Sequence, residues 1–347
     1  MMNLNKPSFF LIFSILIFTT NSLYSAESVF FMRADNLVVT PSTQPVTQVL
    51  VANNSAKDFN GSLSVKFPEG WKVDQVSKEL SIKAGESQKI PFAIMSATDI
   101  EANSYALSLH LKGGEVEIRK DTSIVCSTAP YAKPKIDGQL DDWKDALPIR
   151  FKTGEYGNVV YTYWNRRAFC LALEVNEKKH LNHNTASPDA IQFALSPEGA
   201  QTGKKGNEKS QRYEFLVIPQ NQGEAKVLQL LDFNNELSLC QEAMDVGGEH
   251  LAKSYAKCQH KNGKTIYEIS IPLKIMPELR ATTGRAFCFS FLIHDPDGTG
   301  IRNFGEQMRL PENQKSDFAW RKWQGAKWRQ QTEFDNKLEW GFSSSIH

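Results

Sequence analysis

The chain has 347 residues, of which 41% are hydrophobic and 23% charged, a composition typical of globular protein that excludes a disordered chain. Its 40 basic and 39 acidic residues give a net charge of +1. No basic excess is therefore present to neutralise the phosphates of a nucleic acid or to hold an anionic membrane surface. A chain of this length suits two domains.

The N-terminus has the order of regions found in a secretory signal peptide. Lys6 is the only charged residue in the first 26, and an apolar run from Phe9 to Phe18 follows it. A helix of that run is about 15 Å long, half of a bilayer core of about 30 Å, so it is too short to span a membrane. We therefore predict that residues 1–26 are cleaved, and that the mature protein is secreted or lies in the periplasm or cell envelope without a membrane span.

Short runs of alternating or β-branched residues fill residues 27–127, and Asn, Pro and Gly residues separate them. The predicted strands are Ser28–Arg33, Val46–Ala52, Ser62–Phe67, Gln88–Ile94, Tyr105–Lys112 and Val116–Val125. About seven short strands in ~100 residues is the pattern of an Ig-like sandwich. Trp71 follows a Pro-Glu-Gly turn, and we expect it to pack against the core rather than to bind a ligand.

Four motifs in this region resemble a known domain. They are Val51–Ser55 (VANNS), Phe59–Val65 (FNGSLSV), Phe67–Trp71 (FPEGW) and Gly85-Glu86-Ser87 before a strand. Together they are similar to the Ig-like domain often attached to α-galactosidases and other glycan-degrading proteins. Ig-like sandwiches host many roles, so this resemblance predicts the fold more than the function.

Residues 128–134 carry two prolines and are expected to form a linker to a second domain, residues 135–347. Asn262-Gly263 suits the positive φ angles of a type I′ hairpin turn, and Pro272 ends the strand after it. We expect a short helical turn within Leu273–Leu279 and an all-β domain otherwise. Its predicted strands are Val159–Asn165, Arg167–Val175, Asp189–Leu195, Gln211–Ile218, Leu251–His260, Thr265–Ile271 and Arg285–His294.

Several landmarks of the second domain occur in one order along the chain. They are Ile136–Trp143 (IDGQLDDW), Tyr163–Asn165, Phe169–Val175, Asp189–Phe193, Tyr267–Pro272 and Phe291–Asp297. This order is similar to the family 9 carbohydrate-binding module and its wider DOMON-like sandwich superfamily. The resemblance implies a two-sheet antiparallel β-sandwich that binds the ends of poly- or oligosaccharides between aromatic rings, often beside a secreted glycoside hydrolase. It also allows for structural calcium, which some relatives carry.

The tryptophans divide into two groups under this interpretation. A sugar ring stacks its C–H face on flat aromatic rings, while polar side chains satisfy its hydroxyl rim. Trp143, Trp164 and Trp340 are expected to pack in the core. Trp320, Arg321, Trp323 and Trp328 form the predicted ligand platform, because three tryptophans in nine residues among cations are hard to bury together. The alternative is that one or two of them close the end of the sandwich.

The chain departs from its relatives at the rest of the sugar site. Relatives carry an aromatic residue shortly before the strand 189–195 and an acid within it. Here that loop contains Asn184 and no aromatic residue, and Gln192 stands at the position of the acid. Asn184 and Gln192 are therefore the predicted polar contacts, and either the ligand differs from that of the relatives or the site is inactive.

Metal and redox sites receive little support from the sequence. Asp295, Asp297 and Glu306 imitate the spacing of a calcium loop, although a polar hairpin tip is the competing interpretation. No His-Cys spacing predicts zinc, and His180 and His183 are expected to be solvated on a polar loop. Five cysteines leave at least one thiol unpaired, with a Cys240–Cys258 bridge as one option.

No catalytic motif is evident, and the two sandwiches use up the chain. Glycoside hydrolysis needs two carboxylates across a cleft. We therefore predict a non-catalytic carbohydrate-binding protein that serves glycan catabolism beside glycoside hydrolases. One alternative is a structural or interaction module of the envelope that binds a protein partner, and the other is an accessory subunit of an enzyme, which would need a dedicated partner.

Overall fold

The structure is a computed structural model that describes residues 29–185, 188–198, 211–234, 244–245, 256–298, 300–303 and 338–344. Across these residues the protein is all-β, as predicted, with short 3-10 turns between its strands. Two pairs of sheets form, and each pair encloses its own hydrophobic core. In the described ranges, no helix is long and apolar enough to cross a membrane. The predicted signal peptide, residues 1–26, lies outside them.

The N-terminal sandwich spans residues 30–124. Its strands are β1 (Phe30–Ala34), β2 (Val46–Asn53), β3 (Phe59–Lys66), β4 (Lys72–Val73), β5 (Ser77–Ile82), β6 (Ser87–Ser96), β7 (Tyr105–Gly113) and β8 (Val116–Ile124). One sheet has the order β1-β2-β6-β4 and the other β5-β3-β7-β8. Every second residue of β7, from Leu107 to Leu111, is buried, because alternate side chains of a strand face the core. Trp71 packs against this core, as predicted.

The C-terminal sandwich spans residues 128–342. Its strands are β9 (Thr128–Ala129), β10 (Ile149–Thr153), β11 (Tyr156–Trp164), β12 (Ala168–Asn176), β13 (Ala190–Pro197), β14 (Tyr213–Pro219), β15 (Ala225–Leu231), β16 (Met244–Asp245), β17 (Ala256–Lys261), β18 (Lys264–Pro272), β19 (Ala286–Asp295), β20 (Gly300–Asn303) and β21 (Leu338–Phe342). The smaller sheet has the order β10-β11-β12-β18-β17. The larger sheet has the order β16-β15-β14-β13-β19-β21-β9, and β20 pairs with β19.

Aromatic residues fill the space between these two sheets. Phe169 of β12 meets Phe289 of β19 with ring centroids 5.6 Å apart, and Phe289 meets Trp340 of β21 at 5.0 Å. Trp340 is fully buried and Trp143 and Trp164 are nearly so, which confirms the prediction that these three pack in the core. The indole nitrogens are satisfied as burial requires, since that of Trp340 donates to Thr162 at 3.0 Å.

One buried carboxylate explains the landmark Ile136–Trp143. Glu268 of β18 accepts hydrogen bonds from the backbone N–H groups of Asp137, Gly138 and Gln139 and from the indole N–H of Trp143. Gly138 permits this turn because its φ is +89°. The segment before the sandwich is therefore fastened to β18 of the smaller sheet.

Local turn signals are confirmed. Asn262 and Gly263 have φ of 55° and 73° and join β17 to β18, which ends at Pro272. Two 3-10 turns occupy Leu273–Ile275 and Pro277–Leu279, where a helical turn was expected. The predicted linker contributes β9, which pairs in parallel with β21, so part of this segment belongs to a sheet.

The described cysteines are buried and form no disulfide: Cys126, Cys170, Cys258 and Cys288. Cys170 and Cys288 therefore behave as small buried hydrophobes, as expected. The option of a Cys240–Cys258 bridge was wrong, because Cys258 carries a free thiol that faces His180. Cys240 itself lies outside the described residues.

Candidate functional site

The whole of the predicted aromatic platform lies outside the described residues. Trp320, Arg321, Trp323 and Trp328 lie outside the described residues, and so does Glu306. The structure describes Asn184 and Gln192, and it places them in different surroundings. Asn184 is exposed on the loop before β13, where its amide donates to Asn221 at 3.2 Å. Gln192 is buried within β13.

Gln192 lies on the outer face of the larger sheet. Its neighbours Ile191 and Phe193 both belong to the hydrophobic core, so Gln192 projects to the opposite face. The register places Gln192 opposite Leu216 of β14 and Leu292 of β19. A polar side chain at the middle of three neighbouring strands is therefore in a position to meet polar groups from both sides.

Four polar side chains form a row across β14, β13 and β19. We call them the Gln192 row (Arg212, Glu214, Gln192 and His294). Arg212 donates to Glu214 at 3.2 Å through its Nε. The amide of Gln192 donates to the other carboxylate oxygen of Glu214. His294 donates from Nε2 to the carbonyl oxygen of Gln192 at 3.0 Å. Each group is thus held by its neighbour in one orientation.

The charges of the Gln192 row nearly cancel. Burial raises the pKa of Glu214, while the charge of Arg212 and the hydrogen bonds from Gln192 and Arg212 oppose that shift. Burial also lowers the pKa of His294 to about 3, so this imidazole is neutral at physiological pH. One guanidinium, one carboxylate, one carboxamide and one neutral imidazole therefore offer both donors and acceptors without net charge.

Sequence reasoning identified Gln192 and missed its partners. Arg212 and Glu214 alternate with the core residues Tyr213 and Phe215, and His294 follows the core residue Ile293. A polar residue on the outer side of a strand is ordinary, and no local signal separates these from solvated positions. Their proximity depends on the register of β14 and β19 against β13.

A second polar cluster lies where β12 leaves the smaller sheet, and we call it the Glu177 cluster (Glu177, His180, Asp189, His260 and Asp295). Oxygens of Glu177, Asp189 and Asp295 lie within 4.8 Å of one another, and all three residues are buried. Glu177, His180 and His260 form an overlapping group with the same limit. The backbone N–H of Glu177 donates to Gly263 in the β17–β18 turn, which holds it beside His260.

His180 joins the acids of this cluster. Its Nδ1 is 3.1 Å from a Glu177 oxygen and 3.3 Å from an Asp189 oxygen. Burial alone lowers the pKa of His180, but its hydrogen bonds to Asp189, Cys258 and Glu177 outweigh that effect and raise the pKa to about 11. The expectation that His180 is solvated was therefore wrong, because its side chain is 16% exposed and bonds to Glu177 and Asp189, whereas His183 is exposed as predicted.

Asp295 and Asp297 do not share one environment. Asp295 is buried and forms an ion pair with Arg302 of β20, which also donates to Asn158 at 3.0 Å. Asp297 is exposed in the turn between β19 and β20. The antiparallel pairing of β19 and β20 agrees with the interpretation of Asp295–Asp297 as part of a hairpin. Asp295, at the end of β19, points inward to the Glu177 cluster.

Comparison with known proteins leaves the family open. No family model and no curated protein sequence matches the chain. A family 9 carbohydrate-binding module from Caldicellulosiruptor kristjanssonii in complex with cellotriose is similar at 15% identity and a TM-score of 0.36, covering 62% of this chain and 93% of that one. The glucose complex matches at 17% and 0.32, covering 50% and 79%. The E. coli chaperone DraB matches at 10% and 0.23, covering 62% and 96%. At these TM-scores the likeness assigns neither a family nor a function.

Proposed function

We propose that the protein binds carbohydrate without catalysing a reaction, and that the outer face of the larger sheet of the C-terminal sandwich carries the site. The observation behind the proposal is the Gln192 row, in which side chains of three neighbouring strands and of Arg212, just before β14, are linked by hydrogen bonds. Export through the signal peptide and a role beside glycoside hydrolases belong to the same proposal.

The chemistry of the row suits a hydroxyl-rich ligand. Each sugar hydroxyl both donates and accepts a hydrogen bond, and vicinal pairs are matched by a carboxylate, a carboxamide or a guanidinium. In the row, Glu214 accepts from Arg212 and Gln192, and Gln192 accepts from His294. Groups fixed in this way lose little further conformational freedom on binding, which favours affinity.

A saccharide must be able to reach the side chains of the row. All four side chains of the row are buried, so a saccharide that uses them has to displace the atoms that now cover them. The row supplies polar contacts alone, and stacking on the sugar face is assigned to Trp320, Trp323 and Trp328. Binding therefore requires both parts, the indoles for the apolar face and the row for the hydroxyl rim.

A glycan array with the full chain tests the proposal. We expect a defined set of poly- or oligosaccharides to bind the wild type, and the single variants Trp320→Ala, Trp323→Ala and Trp328→Ala to show which indoles stack on the ligand. Loss of a stacking ring should weaken binding by roughly tenfold or more. A wild type that retains no glycan above background contradicts the proposal.

A protein partner is the second candidate, and one groove favours it. The groove has a volume of about 530 Å³ on the N-terminal sandwich, and Phe67, Trp71, Val76, His110 and Arg119 are among its lining residues. Val76 is 60% exposed. Site-specific photo-crosslinking from position 76 in the cell envelope tests this candidate. One reproducible protein adduct that Arg119→Glu abolishes supports it, and the absence of any adduct rejects it.

A further inference from the structure

Two histidines and two acids from separate parts of the chain meet at one point of the C-terminal sandwich. Glu177 and His180 follow β12, Asp189 precedes β13, and His260 belongs to β17. The backbone of Leu181 fastens the loop, since its N–H donates to Asp189 Oδ2 at 2.6 Å and its carbonyl accepts from the N–H of Asp189 at 2.9 Å. These contacts hold His180 against both acids.

Three separations between the donor atoms suit a small metal ion. Glu177 Oε1 lies 3.1 Å from His180 Nδ1 and 3.9 Å from His260 Nδ1, and Asp189 Oδ2 lies 3.3 Å from His180 Nδ1. Bonds of about 2.0–2.2 Å at tetrahedral angles place zinc ligands roughly 3.3 Å apart. Two imidazoles and two carboxylates are a donor set that zinc accepts, whereas calcium prefers oxygen ligands alone.

An unsatisfied oxygen gives an independent indication of a missing ligand. Asp189 is 1% exposed, and its Oδ1 has no hydrogen-bond donor among the described residues, although a buried carboxylate oxygen without a partner is costly. The charges of the buried acids also indicate a missing cation. Arg302 pairs with Asp295, which leaves Glu177 and Asp189 as two buried acids that share His180. A dication bound by neutral histidines balances both acids.

The surroundings supply the outer contacts of such a site. Cys258 Sγ lies 3.7 Å from His180 Nε2, the ring nitrogen that faces away from the acids. The rings of His180 and His260 are stacked, with 8° between their planes and centroids 5.5 Å apart. The Thr265 hydroxyl, 2.8 Å from His260 Nδ1, occupies the hydrogen-bond position that the metal would take over.

We propose that Glu177, His180, Asp189 and His260 form a binding site for a divalent transition-metal ion of the zinc type. The site is separate from the Gln192 row and from any saccharide, and it fastens the loop after β12 to the β17–β18 hairpin. Its role is structural: the ion joins the two sheets of the C-terminal sandwich at this end.

The test is a titration of the metal-depleted full chain with Zn²⁺ against a chromophoric chelator, repeated with Ca²⁺. We expect one Zn²⁺ per chain, a higher thermal midpoint with Zn²⁺, and affinity reduced at least ~100-fold in His260→Gln. His183→Gln is the matched control, an exposed histidine on the same loop, and should bind like wild type. Co²⁺ should give the strong visible absorption of a four-coordinate ion, a readout that needs no variant.

Three results overturn the proposal. The first is a wild type that binds no Zn²⁺. The second is a His260→Gln variant that melts like the metal-free wild type and still binds Zn²⁺ with wild-type affinity. The third is binding of one Ca²⁺ per chain that is lost in Asp295→Asn and unchanged in His260→Gln. Such an ion would be held by Glu177, Asp189 and Asp295 and not by the histidines.

Discussion

The buried carboxylate of Glu268 should be one of the largest single contributors to the stability of the C-terminal sandwich. Its oxygens accept from the indole of Trp143 at 2.6 Å, from the N–H groups of Asp137 and Gln139 at 2.9 and 3.1 Å, and from Gly138. Hydrogen bonds to a charged acceptor contribute about 1.5–3 kcal/mol each but are not additive around one group. Glu268→Gln turns an N–H₂ group towards these donors and should cost about 3–5 kcal/mol.

Urea unfolding at pH 7 measures this loss. The two sandwiches have separate cores, so the chain can show two transitions. Only the transition that reports on Trp143 should move in Glu268→Gln, and the N-terminal sandwich provides an internal reference. The matched control is Glu174→Gln, because Glu174 makes a surface ion pair with Lys264. Surface pairs contribute about 0–1 kcal/mol. A Glu268→Gln shift no larger than that of the control refutes the reasoning.

Two further predictions concern the same sandwich. Gly138→Ala should destabilise it by about 1–2 kcal/mol, because φ of +89° is strained for any residue with a Cβ; an unchanged urea midpoint would contradict this. His294 stays neutral in the folded protein down to about pH 3, while the unfolded chain binds a proton near pH 6.5, so the stability should fall as the pH drops below 6.5. Between pH 7.5 and pH 5 the free energy of unfolding should fall by about 2 kcal/mol for this reason, and His294→Gln should remove that part of the pH dependence. Equal slopes of unfolding free energy against pH in the wild type and the variant would contradict the prediction.

Some strands were predicted from the sequence and others were missed. Tyr105–Gly113 carries apolar residues at every second position from Tyr105 to Leu111, and Val46–Asn53 contains the apolar run Val49–Ala52. Ile149–Thr153 was missed although Ile149 and Phe151 alternate with charged residues. Ser77–Ile82 has only Leu80 and Ile82 as buried residues among charged neighbours, so its pattern does not distinguish it from a loop. Thr128–Ala129 becomes a strand because it pairs with Gly341 and Phe342, more than 200 residues away, and no local pattern encodes that.

The same limit applies to the two polar groups of the C-terminal sandwich. Gln192 was identified by its position in a landmark, but Glu214 and His294 reach it through the pairing of β14, β13 and β19. His180 and His260 are 80 residues apart and lack the close spacing of a metal motif. They meet because β12, β18 and β17 are neighbours in one sheet, so the cluster is a consequence of topology.

The central claim is tested most directly by calorimetric titration of the full chain with a saccharide selected on the array, comparing Gln192→Ala with Gln229→Ala. Gln229 is a buried glutamine of the same sheet that bonds to the backbone of Leu231 and lies outside the row. We predict that Gln192→Ala weakens binding about 10- to 100-fold, the loss expected for about 1–3 kcal/mol of polar contacts, and that Gln229→Ala binds like wild type. Equal affinities in all three proteins would contradict a saccharide site on the Gln192 row.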